Sequence, residues 1–411
     1  MLLLWKKLSW LGITSLKGIE HFPNLKSLNC SYNSLTELDI SGNPNLAGIS
    51  CSYNDLTELD VSGNPNLVQL HCASNDLTEL DTSTLTSLKI LVCEDNRITS
   101  LNLSGNPALT TLYCRRNNIE TLNITGCNLL ETVYCNYNRI TALDISGCTN
   151  LNTLLCHSND IKELDTAGKS SLQYLYCHEN NIKALDLSGC QAITDLRCYD
   201  NGLETLNLTG CTALSDLRCQ RNALATLNLT GCTDLYYLYC YENKLKTLDI
   251  SGCQAITDLR CYSNDLTSLN VTGCKSLDIL YCENNNITAL DVSTAPFLVN
   301  FDCSGNNISE LDTSSNKSLN SLYCSNNGIK ALDLSGNPLL KYLQCYSNDL
   351  TSLNVTGCTS LDILYCQNNN ITALDTSGFS VLRLLNCSSN GIKTLDLSGR
   401  SFAHRFTVLQ Q

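Results

Sequence analysis

The chain has one methionine, two tryptophans, six prolines and five histidines (His21, His71, His157, His178, His404) in 411 residues. It contains no G-x-S-x-G, no H-E-x-x-H and no glycine-rich phosphate loop. The usual nucleophile, zinc and nucleotide motifs are therefore excluded, and no catalytic residue, metal ligand or cofactor is assigned. No stretch approaches the roughly 18 consecutive apolar residues that cross a membrane. Bases are scarce as well, 26 against 39 acids for a net charge of −13, which argues against nucleic acid or an anionic membrane surface as partner. The opening "MLLLWKKLSWLG" places its lysines after the apolar run, the reverse of a signal peptide, so the chain as written is read without an export signal. Helix is missing too, because no helical apolar period occurs between Leu25 and Leu397.

Cysteine is what the chain has in excess, 26 residues. Starting at Cys30 and stepping by 21, every landing is a cysteine, through Cys51, Cys72 and so on to Cys387, 18 in all. An asparagine follows each of them three residues later, from Asn33 to Asn390. A fixed period of this size means a solenoid, in which each unit buries its apolar face only against its neighbours. "CYSNDLTSLNVTGC" at Cys261 recurs unchanged at Cys345, 84 residues or four periods later. Duplication by whole periods lengthens such a rod without breaking its core.

Each unit is two nested halves, L-x-x-L-x-C-x-x-N from Leu25 and L-x-x-L-D-I-S-G-N from Leu35. Apolar and variable positions alternate in both, which is strand periodicity. The expected fold is a β-rich solenoid of 18 coils of 21 residues, with short parallel strands on both faces, nearly straight, about 86 Å long at ~4.8 Å per coil, and with little or no helix. Its open ends invite end-to-end self-association. The repeated cysteines face inward as packed thiols, with disulfides or a metal array as the alternative. Free thiols suit a reducing cytosol or the exterior of an anaerobe. The repeated asparagines are expected to bond the backbone of their own turn and of the next coil. In the second half the equivalent site holds Asn43, Asn64, Asn106 or Asn337 in some coils and Cys127, Cys148, Cys190, Cys211, Cys232, Cys253, Cys274 or Cys358 in others. The glycine before it, present in 15 of 18 coils, is expected to adopt a conformation closed to bulkier residues.

These residues resemble leucine-rich repeats. "LKSLNCSYNSL" matches the family's conserved segment, and the nested 21-residue unit is similar to the bacterial subclass called IRREKO. "ITSLKGIEHFPNLKSL" looks like the first repeat of internalin-like bacterial surface proteins. The resemblance covers residues 14–398 and leaves 1–13 as an N-terminal extension or incomplete cap and 399–411 as a non-repeat tail. It implies a leucine-rich repeat array, secretion or surface attachment, and binding of a protein or glycan as an adhesin or interaction scaffold. The alternative is a structural spacer or stalk that carries a domain absent from this chain.

Recognition in a solenoid must use the outward strand positions. From Tyr113 onward these are rich in Tyr, Arg and Asp: Tyr113, Tyr134, Tyr174, Tyr176, Asp195, Arg197, Asp216, Arg218, Tyr237, Tyr239, Asp258, Arg260 and Tyr281. Tyrosine and arginine dominate interface hot spots and also suit sugars, so these thirteen form the candidate binding face. The alternative is pairing within the sheet, with Asp195–Arg197, Asp216–Arg218 and Asp258–Arg260 as ion pairs worth about 0.2–1 kcal/mol each. The opposite face repeats Asp or Asn, from Asp39 and Asp60 to Asp396. Turn hydrogen bonds are the expected offset to that row of carboxylates, with interleaved asparagine or calcium as the alternatives. His157 and His178 fall one period apart on the outward face and are expected to be a solvated pair, with a stray transition metal as the alternative.

Overall fold

A computed structural model describes residues 5–377, 381–395 and 407–409. The chain forms two compact units, Met1–Cys211 and Thr212–Gln411. Both are parallel β-solenoids. In the first, strand Ser27–Asn29 pairs in parallel with Gly48–Ser50, and that with Gln69–His71, each partner 21 residues on. In the second, Tyr237–Tyr239 pairs with Asp258–Arg260 and that with Ile279–Tyr281. The strands are three residues long, with Leu28 and Ile49 buried while their strand neighbours are half-exposed. Among the described residues the one helical element is the 3-10 turn Ile19–His21.

The inward rows form the core. Leucine, isoleucine and cysteine stack coil on coil, and each fully buried leucine contributes about 1.5–3 kcal/mol. All 26 cysteines are buried and unbridged. The repeated asparagines bond as expected. Asn54 donates from Nδ2 to the carbonyls of Cys30 (3.1 Å) and Cys51 (2.9 Å), and its Oδ1 accepts the Leu35 N–H at 3.0 Å. One side chain thus ties three backbone groups in two coils, each bond giving roughly 0.5–1.5 kcal/mol net.

The second-half site explains why asparagine and cysteine alternate. Asn64 donates to the Ile40 and Asn43 carbonyls at 3.0 Å, which leaves its own Oδ1 buried without a partner. Cys127 donates its S–H to the Leu103 carbonyl at 3.2 Å and has no acceptor oxygen to strand. Where asparagine remains at Asn106, Thr82 reaches its Oδ1 at 2.9 Å.

Two expectations are refined. Strand pairs on the second face occur only at Ser100–Asn102 with Thr121–Asn123, Ala184–Asp186 with Thr205–Asn207, Thr247–Asp249 with Ser268–Asn270, and Ala331–Asp333 with Ser352–Asn354 among the described residues. The glycine rule is corrected. Gly126, Gly210, Gly231 and Gly273 have φ of 85–91°, but Gly63 and Gly105 do not. There the constraint is close packing, since a Cβ at Gly105 would lie 2.9 Å from the Ser83 carbonyl oxygen. The residues that regularly adopt positive φ stand just before the first-half asparagine instead: Tyr32 at 57°, Arg221 at 54°, Glu242 at 52°. That row contains no β-branched residue in any coil, a signal present in the sequence and missed.

At the N-terminal side, Trp5–Lys7 pairs with Ser27–Asn29, and the Leu8 carbonyl accepts from Asn33 Nδ2 at 2.7 Å where later coils offer a cysteine carbonyl. Strand Thr407–Leu409 pairs with Leu384–Asn386. Asp396, His404 and the rest of the 399–411 tail lie outside the described residues.

Candidate functional site

The outward strand positions carry the candidate residues, which the sheet register gathers into clusters. In the first unit the Tyr113 and Tyr134 rings stack with centroids 4.6 Å apart. Farther along, Tyr174 pairs with Asp195 and Tyr176 with Arg197 in register. Tyr176 donates from its hydroxyl to Asp195 Oδ2 at 2.6 Å, and Arg197 donates from Nε and Nη2 to the same carboxylate at 3.2 and 3.0 Å. The guanidinium also lies over the Tyr176 ring, 4.2 Å from its centre.

The second unit repeats this arrangement. Tyr239 donates to Asp258 Oδ2 at 2.8 Å, and Arg260 donates to Asp258 at 3.0 and 2.9 Å. Arg260 sits 4.6 Å from the Tyr239 ring centre and 5.3 Å from that of Tyr281. Arg218 holds Asp216 at 2.9 Å and lies 5.1 Å from the Tyr239 ring centre. Because strand Tyr237–Tyr239 lies between Asp216–Arg218 and Asp258–Arg260, guanidinium groups approach Tyr239 from the coils on both sides. Tyr174 and Tyr237 remain open, at 41% and 37% exposure. Asp258, expected on the surface, is only 5% exposed, covered by the Arg260 and Tyr239 that bond it.

The electrostatics follow from this pairing. Asp258 bonding raises Arg260 above its usual value, and burial together with the Asp258 bond lifts the Tyr239 hydroxyl to about 12. Glu94 and Arg115 form a further pair at 2.6 Å. No ion pair reaches Glu283 or Asp302 among the described residues; burial pushes Glu283 up to about 7, and Asp302 is raised by the same cause. Burial also holds the thiols of Cys93 and Cys177 at about 12. They are neutral and lack the thiolate a nucleophile requires.

The opposite row is bonded into turns. Asp39 Oδ1 accepts the Ser41 N–H at 2.9 Å, and Asp60, Asp144, Asp249 and Asp333 each accept the N–H two residues on. Hydrogen bonds from those serines lower the carboxyl pKa values, the side-chain bond first at Asp39, Asp60 and Asp144 and the backbone N–H first at Asp249 and Asp333.

Two features were not legible as placed. His157 and His178 are not a solvated pair but are 9% and 7% exposed, their rings stacked 4.2 Å apart. Lys169, at a site that is asparagine or cysteine in most other coils, is 1% exposed and donates from Nζ to the Ser146 and Ala167 carbonyls at 3.2 Å. The register that locates its Asn and Cys equivalents also locates Lys169; only its polarity hid it.

The leucine-rich repeat family model matches residues 178–196 and 242–259. No curated protein matches the chain. Among solved structures, the chain is similar to the functional domain of InlJ from Listeria monocytogenes, described as including a cysteine ladder. It is 33% identical over 81% of this chain and 71% of that one, with a TM-score of 0.65. It is similar to YopM from Yersinia enterocolitica, at 25% identity over 98% and 90% of the two chains and a TM-score of 0.75. The plant peptide hormone receptor RGFR1, solved in complex with RGF2, shares 19% identity over 95% and 77% with a TM-score of 0.73, a likeness of fold alone.

Proposed function

The chain belongs to the bacterial leucine-rich repeat proteins with an internalin-like fold, and from that footing we propose that it is a non-catalytic protein-binding module acting through its Tyr/Arg/Asp strand face. The supporting observation is the duplicated cluster. Tyr176, Asp195 and Arg197 in the first unit and Tyr239, Asp258 and Arg260 in the second, 63 residues apart, make the same hydrogen bonds. Side chains fixed before binding lose less entropy when a partner docks, and tyrosine with arginine offers wide contact area with polar ends.

The same geometry favours a protein or peptide over a glycan. Stacking on a sugar needs a free ring face, and guanidinium groups approach Tyr239 from both neighbouring coils. An adhesin or interaction scaffold, secreted or on a bacterial surface, is the setting this function fits. The competing reading is a spacer, for which self-satisfied ion pairs suffice.

Protein and glycan arrays probed with the intact chain and with a Tyr176→Ala, Arg197→Ala, Arg218→Ala, Tyr239→Ala variant at equal folded concentration test the proposal. A protein hit lost in the variant is expected. Hits indifferent to the four changes favour the spacer, and a glycan-only hit overturns the choice of partner.

A further inference from the structure

Beside the strand face of the first unit, four rings from successive coils form one column. Tyr137 meets His157 edge-on at 5.0 Å between centroids, His157 stacks on His178 at 4.2 Å, and His178 stacks on Tyr199 at 4.1 Å. Both histidines are buried, His157 9% and His178 7% exposed. His157 Nδ1 lies 3.1 Å from Ser158 Oγ, which donates to Glu179 Oε2 at 2.7 Å. His178 Nδ1 has no hydrogen-bond partner, and Glu179 Oε1 stands 3.7 Å away. Arg197 acts on both histidines, and Arg116 lies over the Tyr137 ring at 5.5 Å. The facing charges are thus one half-exposed carboxylate, Glu179, and two cations. Face-to-face imidazoles at this distance, dry and beside arginines, cannot both accept a proton.

We propose that this column is an acid-sensitive latch: neutral rings hold the coils together at pH 7, and proton entry opens them, loosening Tyr174, Tyr176, Asp195 and Arg197 and releasing a partner bound there. The release step rests on the binding function proposed above; the latch itself does not. Burial, then the His157 charge, holds His178 at about 4, and burial lowers His157. An opened imidazole titrates near 6.5. Between those values the open state binds more protons than the closed one, so the closed column is stable above about pH 6.5 and weakens as pH falls toward 4.

The coil-to-coil amides report on this directly, because the Ser158 N–H donates to the His178 carbonyl and the Glu179 N–H to the Tyr199 carbonyl, both at 3.0 Å. Hydrogen exchange on the full chain without partner, at pH 7.5 and 4.5, should show their protection factors falling by roughly tenfold to a hundredfold. The Ser347 amide, bonded to the Gln367 carbonyl at 3.0 Å, serves as the reference and should hold. His178→Phe keeps a ring in the stack without a titratable nitrogen and should abolish most of the difference. Should that variant fail to fold, NMR titration of the wild-type imidazole C2 protons decides. Titration of both His157 and His178 near 6.5, assigned by single-histidine variants, or equal acid loss in His178→Phe, overturns the latch. A protein partner that stays bound at pH 4.5 while the column opens overturns only the release step. An opening column with no partner on any array supports the latch and counts against the binding function.

Discussion

Asn207 donates from its side-chain amide to Asp186 Oδ1 at 2.9 Å, and the strands that carry these two residues are paired. Asn354 does the same to Asp333 at 3.0 Å, and Asn123 to Asn102 at 3.0 Å. In all four strand pairs on this face the residue of the later coil is asparagine. Where a second aspartate follows the first, as at Asp39 and Asp60, no ladder forms. Two carboxylates one coil apart repel, and neither can donate, which disfavours the ladder.

Asn207→Asp should therefore dissolve one strand pair without unfolding the unit. The Leu187 amide, which donates to the Asn207 carbonyl at 2.9 Å, loses exchange protection, and urea melts shift by about 1 kcal/mol. An unchanged Leu187 protection factor would show that the side-chain bridge does not govern pairing.

Lys169 is a buried cation at a position that carries no charge in the other described coils. Its Nζ carries three donors and meets two carbonyls in the core. Asn316, at the equivalent site, bonds two carbonyls at 3.0 and 2.8 Å and strands only a neutral Oδ1, with no charge to bury. Lys169→Asn should raise stability by about 1 kcal/mol, read as a higher calorimetric midpoint. A lower midpoint would mean that the long side chain fills volume asparagine cannot.

The cysteine rows make a chemical prediction. With Cys177 fully buried and its thiol at about 12, iodoacetamide at pH 8 should leave it unmodified in the native chain and alkylate it rapidly in guanidinium. Mass spectrometry of the digested protein checks this residue by residue. Fast native labelling of Cys177 would overturn its inward placement.

Much of the fold was legible because one period repeats without insertion. Leu28, Cys30 and Asn33 fix a strand, a packed thiol and a turn, and the 21-residue step places every equivalent on the same row. The candidate face was legible as a set of positions and as three ion pairs within strands, Asp195–Arg197, Asp216–Arg218 and Asp258–Arg260, which form. That Tyr176 and Tyr239 bond two of the same carboxylates from the neighbouring coil, and that Asp258 ends up buried, depends on which of several partners lies nearest. Glycine misled because one letter serves two constraints: at Gly126 the backbone needs positive φ, whereas at Gly105 it needs room beside Ser83.

By itself the sequence determined the register: a strict period forces each apolar residue onto the same inward row in every coil, since any slip would expose leucine and bury the variable positions. The tertiary structure alone decided how polar and titratable groups are settled between coils. Whether His178 is dry, whether Lys169 finds carbonyls, and whether Asp186 meets an amide or another carboxylate depend on distances of 2.9–4.2 Å between residues some 21 positions apart. Those distances set desolvation and hydrogen bonding, and no property of the single coil contains them.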